Sequence, residues 1–338
     1  MRECLTYDDV QLVPKYSDVT RRTNCDISTK LLDDVKLDVP IISSPMDTIT
    51  EFDMAWTMHN LGGMGIIHRF MSIKEQAQIA SALRNLKVGA SIGVTRDYLE
   101  RAQELVKAKC NILLLDVAHG HHKLVKQAIE RLRNEIDKKN IYIIAGNIAT
   151  GDAAQFLCDS GADAVRVGVG GGSLCSTRIQ TGVGIPMVSS ILDVVSVCDN
   201  YGVSVIADGG IRTPGDVVKA IAAGANCVMV GSLLSGTKET PGQITKTGMW
   251  PNEVLQKKYR GSASLEAKLD RGETHNIEGY STTITYKGKI KRIINDIIDG
   301  LKSAMSYVGA SNLEEFQALA EFIKTTNSGI NEAKPHLI

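Results

Sequence analysis

Aromatic side chains are scarce in this chain, making up 5% of its 338 residues, with only 5 Phe and 2 Trp. The core must therefore be built from Val, Ile, Leu, Ala and Met, a palette that suits the doubly buried strands of a parallel sheet. Net charge is also missing, because 38 basic side chains stand against 38 acidic ones. Without a cationic surplus, duplex nucleic acid is excluded as the expected partner. The seven cysteines are scattered and form no Cys-x-x-Cys pair, which argues against both a disulfide framework and a zinc site. No stretch reaches eighteen uninterrupted apolar residues, and the charged start MRECLTYDDVQLVP has no apolar h-region. Neither a membrane span nor a signal peptide is expected. These absences predict a soluble, cytoplasmic protein that acts on a small molecule.

Short β-branched runs alternate with amphipathic stretches from about Val39 onward, as in repeated strand and helix units. Eight such runs can be counted: 39–47, 63–69, 88–94, 112–120, 142–148, 164–172, 203–210 and 227–234. Between them lie segments such as YLERAQELVKAKC and HKLVKQAIERLRNEIDKK, with apolar residues every three or four positions. Eight units in this length predict an α/β fold, a (β/α)8 TIM barrel occupying residues 1–338 as one domain, with an open doubly wound sheet as the competing arrangement. Chemistry is then expected where the runs end. Two stretches break the alternation: a glycine-rich loop at 167–186, and about 238–289, rich in Gly, Ser, Thr, Lys and Glu. The second has no sustained helical period and reads as a structureless lid inserted after strand eight. A final amphipathic helix begins at Ile290.

Cys175 stands in GGGSLCSTR, with glycines before it and Arg178 three residues on. A thiol on such a loop suits a nucleophile, whereas the other six cysteines read as small buried hydrophobes. ADGGIRTPGD (207–216) and VGSLL (230–234) close the last two runs. Glycine amides there, next to a helix start, suit a phosphate, and Asp208 suits a ribose diol; the plainer reading is tight turns. LDVAHGHH (115–122) holds three histidines without a metal-ligand spacing, and reads as a polar cofactor-binding loop rather than a metal site. His68 and Arg69 end the second run; for His68, a hydrogen-bonded structural role competes with cofactor contact.

With these features in place, the sequence resembles the IMP dehydrogenase/GMP reductase family. The motifs span nearly the whole chain: LTYDDVQLVP, ISSPMDTITE, MGIIHRFMS, LDVAHGH, IAGNIAT, GGGSLCSTR, VIADGGIRTPGD, VMVGSLLSGT, KKYRGSAS and YKGKI. The paired regulatory (CBS) modules common in the dehydrogenases are absent, since SIKEQAQIASALRNLKVGASIGV runs directly from the second helix into the third strand. The resemblance implies a cysteine thiolate that adds to C2 of a purine nucleotide, and a nicotinamide cofactor that exchanges hydride at that carbon. In the dehydrogenase direction an Arg-Tyr pair on the flap activates water; in the reductase direction a Thr two residues after the Cys, assisted by a flap Glu, handles the protons of ammonia. Between Gly261 and Gly279 no Arg-Tyr pair occurs, and Arg271 is followed by Gly272. The GSAS and NIEG ends of the flap, HRF and TRIQTGVG resemble bacterial GMP reductases. ISSPMDTITE and NEAKPHLI resemble the dehydrogenases instead, and Gly171 and Met187 depart from the usual reductase Pro and Gln.

The resemblance therefore implies NADPH-dependent reduction of GMP to IMP with release of ammonia. The alternatives are an IMP dehydrogenase without regulatory modules and, from another class, a catalytically silent nucleotide-binding regulator. Carried onto this sequence, Cys175 is the nucleophile, Thr177 the proton donor and acceptor, and Glu278 the flap carboxylate that orients Thr177 or shares its proton. The nucleotide falls to Ser173, Asp208, Gly209, Gly210, Gly231 and Ser232, to flap residues Gly261, Ser262 and Ala263, and to His275, Asn276, Ile277 and Gly279. Ser44 and Met46 lie near the base. Arg69, Asp116, Val117, Ala118, Asn147, Val169 and Gly170 face the cofactor, and Arg21 and Arg22 reach its 2′-phosphate from a neighbouring subunit. Gly170, Gly172, Cys175 and Arg178 surround a potassium ion. A homotetramer is implied.

Overall fold

Strands β1 (Ile41–Ser43), β2 (Met64–Ile67), β3 (Val88–Ile92), β4 (Ile112–Asp116), β5 (Tyr142–Ile148), β6 (Ala164–Val167), β7 (Ser204–Asp208) and β8 (Cys227–Val230) pair in parallel, each with the next in sequence. The ring closes where Val228 pairs with Ile41. The molecule is thus a (β/α)8 barrel, and the open sheet is ruled out. The computed structural model describes residues 1–249, 251–270, 272 and 278–334.

The strands are apolar on both faces because each face meets a different partner. Inward residues, among them Ile42, Met64, Ile66, Ile112, Leu114, Ile144, Ile206 and Met229, form one buried cluster. Its floor is an antiparallel hairpin, Thr29–Leu32 with Val35–Leu37, whose Leu31 and Leu37 are fully buried. The alternate residues, such as Ile41, Ile67, Leu113, Ile143, Val165 and Val228, pack outward against the helices. The low aromatic content is compatible with close packing because branched aliphatic chains fill both layers.

The connecting helices are α1 (Phe52–Asn60), α2 (Ile73–Ala82), α3 (Tyr98–Lys107), α4 (Lys123–Glu135), α5 (Gly151–Asp159), α6 (Met187–Tyr201), α7 (Pro214–Ala222) and α8 (Ile290–Val308). Helix α4 buries Val125, Ala128, Ile129 and Leu132, the spacing of a single helical face. Helix α7 starts on a capping box, Thr213 with Asp216, and a proline at its first turn. Helix α8 buries Ile290, Ile294, Ile297, Leu301 and Met305, and stops at Gly309 in the left-handed conformation. No helix among the described residues is long and apolar enough to cross a membrane.

The segment at 238–289 departs from the structureless lid read from its composition. Thr245–Thr247, Val254–Arg260 and Ser281–Thr285 form a three-stranded antiparallel sheet, and Leu265–Leu269 a short helix with Ser264 as N-cap. Thr and Val are good strand formers even when mostly exposed, and a search for helical periods passes over them. The root of this sheet is clamped to the barrel by Arg260, which donates to Asp47 at 2.6 and 2.9 Å; within the segment Arg260 also donates to Asp270 at 2.6 Å.

Candidate active site

A cavity of about 1070 Å³ opens at the C-terminal ends of the strands, the end at which barrel loops converge. Of the residues singled out from the sequence, its wall holds Ser44, Met46, Arg69, Asp116, Val117, Ala118, Asn147, Val169, Gly170, Gly172, Ser173, Cys175 and Thr177. Asp208, Gly209, Gly210, Gly231, Ser232, Gly261, Ser262, Ala263, Glu278 and Gly279 complete the set. His275, Asn276 and Ile277 lie outside the described residues. Arg21 and Arg22 do not line the cavity; Arg22 donates to Ser303 of α8 at 2.7 Å and lies over the Tyr307 ring.

At the centre Cys175 Sγ lies 3.1 Å from Thr177 Oγ1, and that hydroxyl donates to Glu278 Oε2. The three groups come from two segments: Cys175 and Thr177 from the loop after β6, and Glu278 from the segment after β8. Backbone contacts hold the segments together. Gly279 donates its N–H to Ser176 Oγ at 2.9 Å, and Tyr280 donates to the Leu174 carbonyl at 3.1 Å. The buried Tyr259 hydroxyl meets Ser173 Oγ at 3.1 Å, and burial raises its pKa, the Ser173 contact acting in the opposite sense. This arrangement can move a proton between sulfur, hydroxyl and carboxylate without solvent.

The glycines of the loops after β6 and β7 allow close backbone approach, and do more than make tight turns. Gly168 has φ +143°, and a Cβ there would sit 1.8 Å from the Asp208 carbonyl oxygen. Gly210 donates to the Gly171 carbonyl at 2.7 Å, so the two loops interlock.

In the same cavity, Arg166 of β6 is buried between two carboxylates, 2.6 Å from Asp116 Oδ1 and 2.9 Å from Asp208 Oδ2. Burial opposes its charge, but Asp208 and Asp116 outweigh that, so its pKa is raised. Asn147 Nδ2 donates to Asp208 Oδ2 at 2.8 Å. Asp208, read from the sequence as a ribose ligand, thus already spends one oxygen on protein partners. Arg69 borders the same region, with its Nε buried and lacking a hydrogen-bond partner among the described residues, 4.0 Å from Asp116. A polar ligand such as a dinucleotide fits this orphaned donor.

Other placements are purely structural. His68 is buried, its Nε2 against Glu51 at 3.0 Å and its Nδ1 accepting from the Phe70 amide at 3.1 Å, which leaves the cofactor reading without a free ring nitrogen. His122 N-caps α4 and His121 packs on Phe156; among the described residues no His/Cys/Asp/Glu group is arranged to hold a metal. The group read as a cation site divides. The Gly172 carbonyl accepts the Cys175 N–H at 3.0 Å, while the Arg178 guanidinium donates to the Val169 and Ile185 carbonyls. A cationic donor has no lone pair for a metal, so the Arg178 side chain braces the loop and is not a ligand.

Arg166 and Tyr259 were not singled out by sequence reasoning. The available signals were a charge inside the strand AVRV, and an aromatic residue at the entrance to the GSAS turn.

The family model described as IMP dehydrogenase / GMP reductase domain matches residues 4–336. An inosine-5'-monophosphate dehydrogenase of Borreliella burgdorferi is 36% identical over 396 aligned residues, covering 99% of this chain and 97% of that protein. One from Cryptosporidium parvum is 35% identical, covering 98% and 94%. The solved structure of a GMP reductase from Trypanosoma brucei in complex with guanosine 5'-monophosphate matches with TM-score 0.94 and 29% identity, covering 100% of this chain and 98% of that one.

Proposed function

This chain belongs to the IMP dehydrogenase/GMP reductase family of oxidoreductases, and we propose that within it the protein is an NADPH-dependent GMP reductase, converting GMP to IMP and ammonia. The observation that carries this reading is the Thr177–Glu278 hydrogen bond formed at Cys175. Ammonia departure needs a proton relay beside the nucleophile, whereas hydrolysis needs an activated water, and the flap sequence has no Arg-Tyr pair to activate one.

In the first step Cys175 sulfur bonds to C2 of GMP, the C2–N bond breaks, and the thiol proton leaves with the amine as ammonia. Thr177 hands that proton across, and Glu278 holds the hydroxyl in line and shares its proton as the relay turns over. A nicotinamide dinucleotide held beside Arg69, Asp116 and Asn147 would supply hydride to C2, and breaking of the C–S bond would then give IMP and the free Cys175 thiolate. The interlocked glycine loops after β6 and β7, with Gly231 and Ser232, form the wall for the nucleotide phosphate. Arg69, Asp116 and Asn147 lie on the cofactor side. A monovalent cation would be held by backbone carbonyls such as those of Gly170, Gly172 and Cys175. Docking of Gly279 and Tyr280 onto the Cys175 loop excludes water from the adduct.

A second reading, IMP dehydrogenase, is favoured by the names of the curated relatives at 36% and 35% identity. A paired assay separates the two. The reductase predicts loss of NADPH absorbance and release of ammonia with GMP; NADH formation from IMP and NAD, with no GMP-dependent oxidation, supports the dehydrogenase instead. Cys175→Ala should abolish turnover and leave nucleotide affinity largely intact, and substantial residual NADPH oxidation would remove Cys175 from its assigned role.

A further inference from the structure

Four alternating charges run across the mouth of the barrel: Arg69 from the loop after β2, Asp116 from β4, Arg166 from β6 and Asp208 from β7. Their separations are 4.0 Å from Arg69 to Asp116, 2.6 Å from Asp116 to Arg166, and 2.9 Å from Arg166 to Asp208. Arg166 Nε adds a second bond to Asp208 Oδ2 at 3.0 Å, and Asn147 ties the Asp208 end to the Gly168 carbonyl at 2.8 Å. Closure of the barrel does not require this arrangement. All four residues of β6 are buried and its neighbours pair through backbone hydrogen bonds, so an aliphatic residue of similar volume would hold the strand at least as well. Burying a guanidinium here is a cost to the fold, and what it provides is fixed geometry between two carboxylates on different strands.

Those carboxylates serve different halves of the cavity under the reading above, on which this inference rests. Asp208 adjoins the DGG loop on the nucleotide side, and Asp116 adjoins Arg69 on the cofactor side. We propose that Arg166 is a positioning residue that couples the two subsites, so that ordering of either carboxylate by its ligand is transmitted to the other. Each carboxylate gives one oxygen to the guanidinium and keeps the other for a ligand hydroxyl. Because the guanidinium is planar and its donors are fixed relative to one another, the two carboxylates cannot reorient independently. Each ligand then lowers the cost of ordering the site for the other.

The test measures GMP affinity by calorimetry, with and without saturating NADPH, in the full chain carrying Cys175→Ala to silence turnover. GMP is expected to bind roughly fivefold tighter or more with NADPH present, the lower end of ordinary coupling between sites. Adding Arg166→Lys or Arg166→Met should bring that ratio to within about twofold of unity, while Arg166→Lys leaves GMP affinity without cofactor within about threefold. A role confined to folding would lower the melting temperature and leave the ratio unchanged. No coupling in the parent, or a ratio unaffected in either variant, overturns the proposal. Should neither Arg166 variant fold, Asp116→Asn carries the test with NADPH raised to saturation: removing the charge that Arg166 bridges should bring the ratio to within about twofold of unity, and a ratio unchanged from the parent overturns the coupling. Failure of GMP and IMP to bind the parent at all would instead overturn the proposed function.

Discussion

Thr177 brings a hydroxyl between the Cys175 thiol and the carboxylate of Glu278, which lies 101 residues further along the chain than Thr177. Its β-branched side chain has few rotamers to lose, so the hydroxyl is held in place once Glu278 docks. Replacing Glu278 by Gln keeps a hydrogen-bond acceptor for Thr177 but removes the base. The expected result is a fall in kcat for GMP of about 10²–10⁴-fold, the usual share of general acid–base catalysis, with GMP affinity within about threefold. Stopped-flow turnover and calorimetry together check it, and a loss of affinity equal to the loss of kcat would make Glu278 a binding residue only. Cys175 was legible from the sequence because a glycine loop announces itself locally, whereas Thr177 was marked only by the resemblance. Glu278 has no local signal, since a Glu in a polar lid looks like any solvated charge; only the resemblance marked it. Arg166 leaves little signal for the opposite reason: one charge in the run AVRVGVGGG does not disturb its apolar pattern, and its partners Asp116 and Asp208 come from two other strands.

Among the elements, all eight barrel strands fall within runs visible as apolar β-branched stretches, because each strand is buried on both faces and leaves a continuous signal. The sheet at 238–289 left none, since Thr245–Thr247 and most of Ser281–Thr285 are exposed and carry no inward–outward alternation. How the elements meet at the site depends on the crossing at Gly168. Gly168→Ala forces both an unfavourable φ and an overlap with the Asp208 carbonyl, and is expected to cost about 3 kcal/mol or more. Gly202, which ends α6 at φ +63° with nothing within 4 Å of a Cβ placed there, is the matched control, and Gly202→Ala should cost only about 1 kcal/mol. Denaturant midpoints of the two variants test the comparison. Equal losses would show that the loops after β6 and β7 relax apart without cost, and that their interlock does not fix the pocket.

For the whole molecule, the two N-terminal arginines connect cofactor choice to assembly. Arg22 is held by Ser303 and Tyr307 on the outside of α8, and neither Arg21 nor Arg22 lines the cavity of its own chain. A role at the cofactor 2′-phosphate therefore requires a neighbouring copy, which ties the proposed tetramer to the choice of NADPH. Charge-assisted bonds are worth about 1.5–3 kcal/mol each, so Arg21→Glu with Arg22→Glu should raise the KM for NADPH roughly tenfold or more and change the KM for NADH far less. Chains carrying only that double substitution lack arginines to lend, and chains carrying only Cys175→Ala lack a nucleophile. Refolded together, they should form mixed assemblies in which an intact Cys175 site receives arginines from the other chain. Activity at low NADPH should then exceed the sum of the two separate samples. If mixing restores nothing while size-exclusion chromatography shows mixed oligomers, the arginines serve no neighbouring site. The phosphate preference would then have to be set within one chain, by groups on the cavity wall.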